Sequence, residues 1–182
     1  LTGLGLKFSS IVIDYAGGNL FLTAVFTALV VWIIGLAGPV TASYIICAVI
    51  AAPALIKLGV PDYAAHLFIF YYSILSEVSP PTALSPFAAA ALTGGDPYKT
   101  TIQAWKYTMP AFLVPFNFTL HPDGIALLLK GSTVNILWTF ITALVGIFAL
   151  AAGMDGWMFK RTNSFERVVL VAGQRDARGA TD

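Results

Sequence analysis

The chain has 182 residues, of which 58% are hydrophobic and only 10% charged, with a formal net charge of +1. Its mean hydropathy is +0.81. Soluble domains carry about a quarter charged residues, so this composition excludes an ordinary soluble domain and points to a protein embedded in a lipid bilayer. The sparse Lys and Arg leave no basic stripe to hold phosphates, so no nucleic-acid partner is expected. The single cysteine, Cys47, cannot form an internal disulfide, and no Cys/His spacing suits a transition metal.

The chain opens at Leu1, and nothing after Lys7 has the pattern of a cleavable signal. This start suggests a piece of a longer protein. From Tyr15 to Ile56 there is no Asp, Glu, Lys or Arg, a length that holds two spans of about 20 residues. Its middle, Gly35-Leu36-Ala37-Gly38-Pro39, is a breaker cluster without the polar residues of a wet loop. Two readings compete: a hairpin with a tight surface loop, or a re-entrant hairpin whose tip stops at mid-membrane. The first arm, at 19–34, is short for a full span, which favours the re-entrant form. Pro39 fits the first turn of the second arm, at 39–56. Lys57 to Asp62 reads as a polar turn, with Asp62 as N-cap of the next helix.

The next apolar stretch, 63–92, is interrupted by Ser76-Glu77-Val78-Ser79-Pro80-Pro81-Thr82. A diproline cannot continue a helix, and irregular backbone at membrane depth survives only inside protein or beside a wet cavity. The expectation is a broken transmembrane helix, its halves near 63–75 and 82–92. Gly94-Gly95-Asp96-Pro97 ends it, and 97–106, with Lys99, Trp105 and Lys106, has interfacial character. A short or kinked span with Pro110 and Pro115 follows, then a turn at His121-Pro122-Asp123-Gly124. A short segment at 125–130 leads to a long span at 132–154, with Trp138 and Trp157 near its ends. Lys99, Lys106, Lys160 and Arg161 fall on one side, placed in the cytoplasm by the positive-inside rule, and Lys57, Lys130 and Lys7 on the other. The organisation expected is a transport-domain half at 1–93 (hairpin 19–57, broken helix 62–92), a C-terminal interfacial segment and transmembrane helices at 94–161, and a cytoplasmic tail of disordered character at 162–182.

No catalytic constellation is visible: no nucleophile elbow, zincin motif or phosphate loop. No enzyme activity and no cofactor are expected. His66 and His121 read as interfacial side chains. The informative feature is the pair of backbone breaks. Hydroxyls gather at both, Thr41 and Ser43 after the first and Ser76, Ser79 and Thr82 around the second, with Glu77 beside them. Freed carbonyls with hydroxyls suit a hard monovalent cation, and half-helix N-termini at Pro39 and Thr82 suit an anionic group. The plainer alternative is two kinks, with Ser and Thr bonding back to the preceding turn.

The run Gly35-Leu36-Ala37-Gly38-Pro39-Val40-Thr41, then Ala51-Ala52-Pro53, Leu58-Gly59-Val60-Pro61, Ala64-Ala65-His66 and Leu75-Ser76-Glu77-Val78-Ser79-Pro80-Pro81-Thr82, resembles the large membrane subunit of TRAP (tripartite ATP-independent periplasmic) transporters. The fused-permease type is closest, and the part resembled is its C-terminal portion. The resemblance implies an all-α integral membrane fold, with a re-entrant helical hairpin plus a broken transmembrane helix forming half of an inverted-repeat elevator transporter. It implies a sodium-coupled importer of organic acids in the bacterial inner membrane, multi-pass, fed by a periplasmic substrate-binding protein. The sodium set it implies is Gly35, Ala37, Thr41, Ser79 and Thr82. Ser43, Ser76, Glu77, Pro80 and Pro81 form the expected substrate or coupling set. The hairpin departs from the family pattern at Ala37, where Gly is usual, and at Val40, where Thr is usual; Ser79 also stands where Thr is usual. The missing N-terminal half or small membrane subunit is an implied partner, and the chain alone is expected not to transport. The alternatives are a truncated, non-transporting remnant or partner-binding membrane protein, and another elevator-type dicarboxylate carrier.

Overall fold

The computed structural model describes residues 3–155, and no strand occurs among them. Trp157, Lys160, Arg161 and the expected tail at 162–182 lie outside the described residues. Eight α-helices follow in order among the described residues: α1 (Leu4–Tyr15), α2 (Leu20–Gly35), α3 (Val40–Lys57), α4 (Asp62–Ser76), α5 (Leu84–Thr93), α6 (Pro97–Thr108), α7 (Val114–Leu120) and α8 (Thr133–Asp155). Two 3-10 segments flank α7, at Met109–Leu113 and Asp123–Leu128.

Local chemistry sets most of these ends. Gly17 and Gly18 turn the chain after α1 with φ of 59° and 73°, a region that side-chain-bearing residues resist. The Asn19 side chain then accepts the amide of Leu22 at 3.2 Å and starts α2. Asp96 does the same for α6, accepting the amide of Lys99 at 2.8 Å, with Pro97 at the first helical position. Asp62, expected as a cap, is instead the first residue of α4, and Pro61 precedes it without a side-chain cap bond. The carboxylate therefore acts only through its favourable place at the positive end of the helix.

The core is α2, α3 and α4 packed on one another, with α1 laid against α3. Small buried residues line these seams: Ala24 and Ala28 on α2, Ala51 and Ala52 on α3, Ala64 and Ala65 on α4. Small side chains let helix backbones approach closely, which is how helices associate where lipid removes the hydrophobic drive between them. Phe68 and Ile69, both fully buried, fill the space between.

Two prolines inside this core lie where neighbouring elements dock. Pro53 lies within α3, so no amide at position 53 can reach the carbonyl of Val49. α1 docks at that place. A Cβ on Gly5 would lie 2.7 Å from the Val49 carbonyl oxygen, and the Ser9 hydroxyl donates toward the carbonyls of Gly5 (2.9 Å) and Ile50 (3.0 Å). Pro115 likewise has no amide for the carbonyl of Phe112 in the tight 3-10 pattern. The buried Tyr72 of α4 donates its hydroxyl there at 2.7 Å. Phe116 packs edge-on against Phe68 at 5.4 Å, so α7 is anchored on α4.

The short or kinked span expected at 107–120 is thus the last two residues of α6, a 3-10 turn and α7 in succession, and the expected interfacial segment 97–106 is the body of α6. The short segment expected at 125–130 is the 3-10 turn Asp123–Leu128. Lys130 stands over the ring of Tyr63 at 5.7 Å, which brings the turn between α3 and α4 and the turn before α8 to the same edge of the molecule. Among the described residues two helices, Val40–Lys57 and Thr133–Met154, are long and apolar enough to cross a membrane, while Leu20–Gly35 and Leu84–Thr93 are apolar but shorter.

Candidate functional site

The breaker cluster after α2 and the break after α4 come together. Gly35, the last residue of α2, is buried against Ser76, the last residue of α4. A Cβ at position 35 would lie 2.8 Å from the Cβ of Ser76 and would overlap its Oγ. Glycine is required here by space, since its φ is not left-handed. Two helix C-termini therefore converge on one spot.

The electrostatic consequence is direct. Each C-terminus carries the negative end of its helix dipole and carbonyls without helical partners. Neither α2 nor α4 has a basic residue in its last turn to offset this. After α2, the amides of Leu36 and Ala37 close on the carbonyls of Trp32 (3.1 Å) and Ile34 (3.0 Å), so the carbonyls of Gly35 and Leu36 stand outside that ladder. Glu77, half-buried at the end of α4, adds a carboxylate with no ion pair or side-chain hydrogen bond among the described residues.

The hydroxyls of α4 bond back to their own helix. Ser73 donates to Ile69 (2.9 Å), Ser76 to Ser73 (2.7 Å) and Ser79 to Leu75 (2.7 Å). This is the geometry of the plainer, kinked alternative. It does not remove the oxygens from cation chemistry, because a hydroxyl that donates its one proton keeps two lone pairs. Ser76 and Ser79 are both fully buried, so those lone pairs face protein.

The break itself runs from Glu77 to Ala83. The peptide between Pro80 and Pro81 is cis. Ala83, buried, takes φ 36° and ψ 50°, and α5 begins only at Leu84. The second half-helix thus starts two residues later than Thr82, where the hydroxyl pattern placed it. The amide of Ala83 reaches back to the carbonyl of Ser79 at 3.1 Å, which keeps Thr82 in the turn. A left-handed alanine costs about 1–2 kcal/mol relative to ordinary backbone, and such residues gather where function over-determines the conformation.

The other expected site residues are placed less closely. Ser43 is buried in the first turn of α3, its amide donating to Pro39 at 3.0 Å. Thr82 and Pro80 are half-buried, and Ala37, Thr41 and Pro81 are exposed. The hydroxyls of Thr41 and Thr82 have no hydrogen-bond partner among the described residues. Gly35, Ser76 and Ser79 are therefore gathered at the meeting point, while Ala37 and Thr41 stand open beside it.

Sequence reasoning missed one pairing. His66, expected to be an interfacial side chain, is half-buried, and its Nδ1 lies 3.2 Å from the hydroxyl of Tyr44, which joins α4 to α3. No spacing rule links residues on different helices, so no local signal announces such a bond. No group of His, Cys, Asp and Glu able to hold a metal occurs among the described residues.

A family model described as "Tripartite ATP-independent periplasmic transporter, DctM component" matches residues 1–123, well over half of the chain. The chain belongs to this family. The match runs from α1 through the hairpin, the break, α6 and α7, and ends before α8. No curated protein and no solved structure matches the chain. Membership makes it a membrane component of a TRAP transporter and sets aside an elevator carrier of another class.

Proposed function

We propose that this chain is the C-terminal part of a sodium-coupled TRAP permease that imports organic acids across the bacterial inner membrane. The observation that carries the reading is the meeting of two helix C-termini at Gly35 and Ser76 with no basic residue to neutralise them. Half-helix C-terminal ends and unwound carbonyls are the usual ligands of a coupling cation in secondary transporters. Gly35 and Ala37 supply carbonyls, and Thr41, Ser79 and Thr82 supply hydroxyls. Glu77 deepens the negative potential. The carboxylate of the substrate is served by the opposite ends, the N-termini of α3 at Val40 and α5 at Leu84, where unpaired amides favour an anion. Ser43, Ser76, Pro80 and Pro81 shape the ground between cation and substrate.

A re-entrant form of the hairpin is supported by length, and elevator motion is what the family resemblance implies. α2 has 16 residues, about 24 Å at 1.5 Å per residue, against about 30 Å of hydrocarbon. Its end is level with the end of α4, not beyond it. Inverted-repeat transporters build their site from two halves, so an N-terminal half or a small membrane subunit completes this one. A periplasmic binding protein delivers the substrate.

The test is uptake of a labelled carboxylate by proteoliposomes holding the complete permease and its binding protein. A sodium gradient should drive uptake and a potassium gradient should not. Ser79→Ala should lower uptake at limiting sodium by about tenfold or more, the loss of roughly 1.4 kcal/mol of cation binding. Uptake by the 182-residue chain alone, or driven equally by potassium, contradicts the reading.

A further inference from the structure

We propose that the outer stripe of α6 binds the phosphate headgroup of an anionic phospholipid. α6 has 12 residues, about 18 Å, too short to cross a bilayer. The chain leading into it and its own first turn, Ala91 to Lys99, are exposed at every residue. Its inner face holds the buried Thr101 and the half-buried Trp105 and Thr108, at spacings of four and three that place them on one side. The outer face carries an open groove of about 500 Å³ lined by Lys99, Thr100, Gln103, Ala104 and Tyr107.

The groove is built from donors. Lys99 offers an ammonium, Gln103 an amide N–H₂ and Tyr107 a phenol. Thr100 has already given its proton to the carbonyl of Asp96 at 2.8 Å and only lines the wall. The nearest acid in sequence is Asp96, whose carboxylate is held at the helix cap by the amide of Lys99 at 2.8 Å. No other Asp or Glu occurs from Pro97 to Pro122. No ion pair engages Lys99 among the described residues. A cation flanked by neutral donors takes a phosphate monoanion.

A lipid, not a soluble phosphate, is favoured by what surrounds the cation. Tyr98 is 74% exposed, Ile102 57% and Tyr107 62%. Apolar and aromatic residues beside a basic residue on a short surface helix match the boundary of headgroup and acyl chain, where tyrosine rings settle and basic residues draw anionic lipids. Phe87 of α5 packs edge-on to Tyr98 at 5.8 Å and holds this end of the helix against its neighbour. The site requires no transport and stands apart from the cation site at Gly35 and Ser76.

The experiment is native mass spectrometry of the purified complete permease, exchanged from detergent micelles containing either phosphatidylglycerol or phosphatidylcholine. One phosphatidylglycerol should be retained per chain in preference to phosphatidylcholine. Lys99→Gln should weaken that retention about fivefold, the effect of one basic residue at a lipid surface, and Lys99→Arg should restore it. Inorganic phosphate in excess should leave the adduct in place. Equal retention of the two lipids, no effect of Lys99→Gln, or displacement by inorganic phosphate alone would each overturn the proposal. Lys99 is exposed, so its replacement leaves the fold intact as a background.

Discussion

The two halves of the described chain, α1 to α4 and α5 to α8, share an apolar composition and both turn large side chains outward, but the first buries far more of its apolar residues. In the first, buried positions are filled by alanine, serine and glycine, and large side chains such as Phe68 fit between helices that approach closely. In the second, α8 turns Val134, Leu137, Trp138, Phe140, Leu144 and Phe148 outward, each more than half exposed. Hydrophobicity alone therefore says that a helix belongs in a membrane, while side-chain size says what it touches. Small residues mark helix against helix, and large ones mark a face left to lipid or to another protein body.

That contrast is sharpest at Gly35. Gly35→Ala would drive a methyl into Ser76, and overpacking of this kind costs about 1–3 kcal/mol. Thermal unfolding in detergent should show the loss, and adding Ser76→Gly should recover most of it by clearing both atoms in the way. As a control, Leu144→Ala, on the outward face of α8, should change stability by less than about 0.5 kcal/mol. Equal effects at the two positions would erase the distinction between the regions.

A smaller effect probes polarity inside the first region. Thr27 is buried in α2 and its hydroxyl has no hydrogen-bond partner among the described residues, whereas Thr23, one turn earlier, donates to Asn19 at 2.9 Å. Thr27→Val keeps the shape and removes an unsatisfied group, so melting should rise by the equivalent of about 1 kcal/mol. A fall would mean that the hydroxyl is engaged in the assembled transporter.

The legible parts of this fold are those written in local chemistry. Asn19, Gly38, Pro39, Asp96 and Pro97 act within a few residues of themselves, and the ends of α2, α3 and α6 lie beside them. The diproline announces its break in the same way. What is not legible depends on residues distant in sequence. Nothing near Gly35 says that Ser76 will press on it, and nothing near Ser9 says that its hydroxyl will reach Ile50 at a proline defect. The start of α5 was misplaced for a related reason. Thr82 has the side chain of a cap, but the back-bond from Ala83 to Ser79 holds it in the turn. Of the site, the two breaks were readable separately; their meeting was not.

The measurement that bears most directly on the central claim is sodium-dependent melting of the complete permease. A ligand that binds only the folded state raises the melting temperature with its concentration. If the joined ends of α2 and α4 hold sodium, melting should rise with sodium chloride, stay flat in potassium chloride at equal ionic strength, and lose its sodium response in Ser79→Ala. A rise of the same size in both salts, or one that survives Ser79→Ala unchanged, would contradict a cation site at this junction.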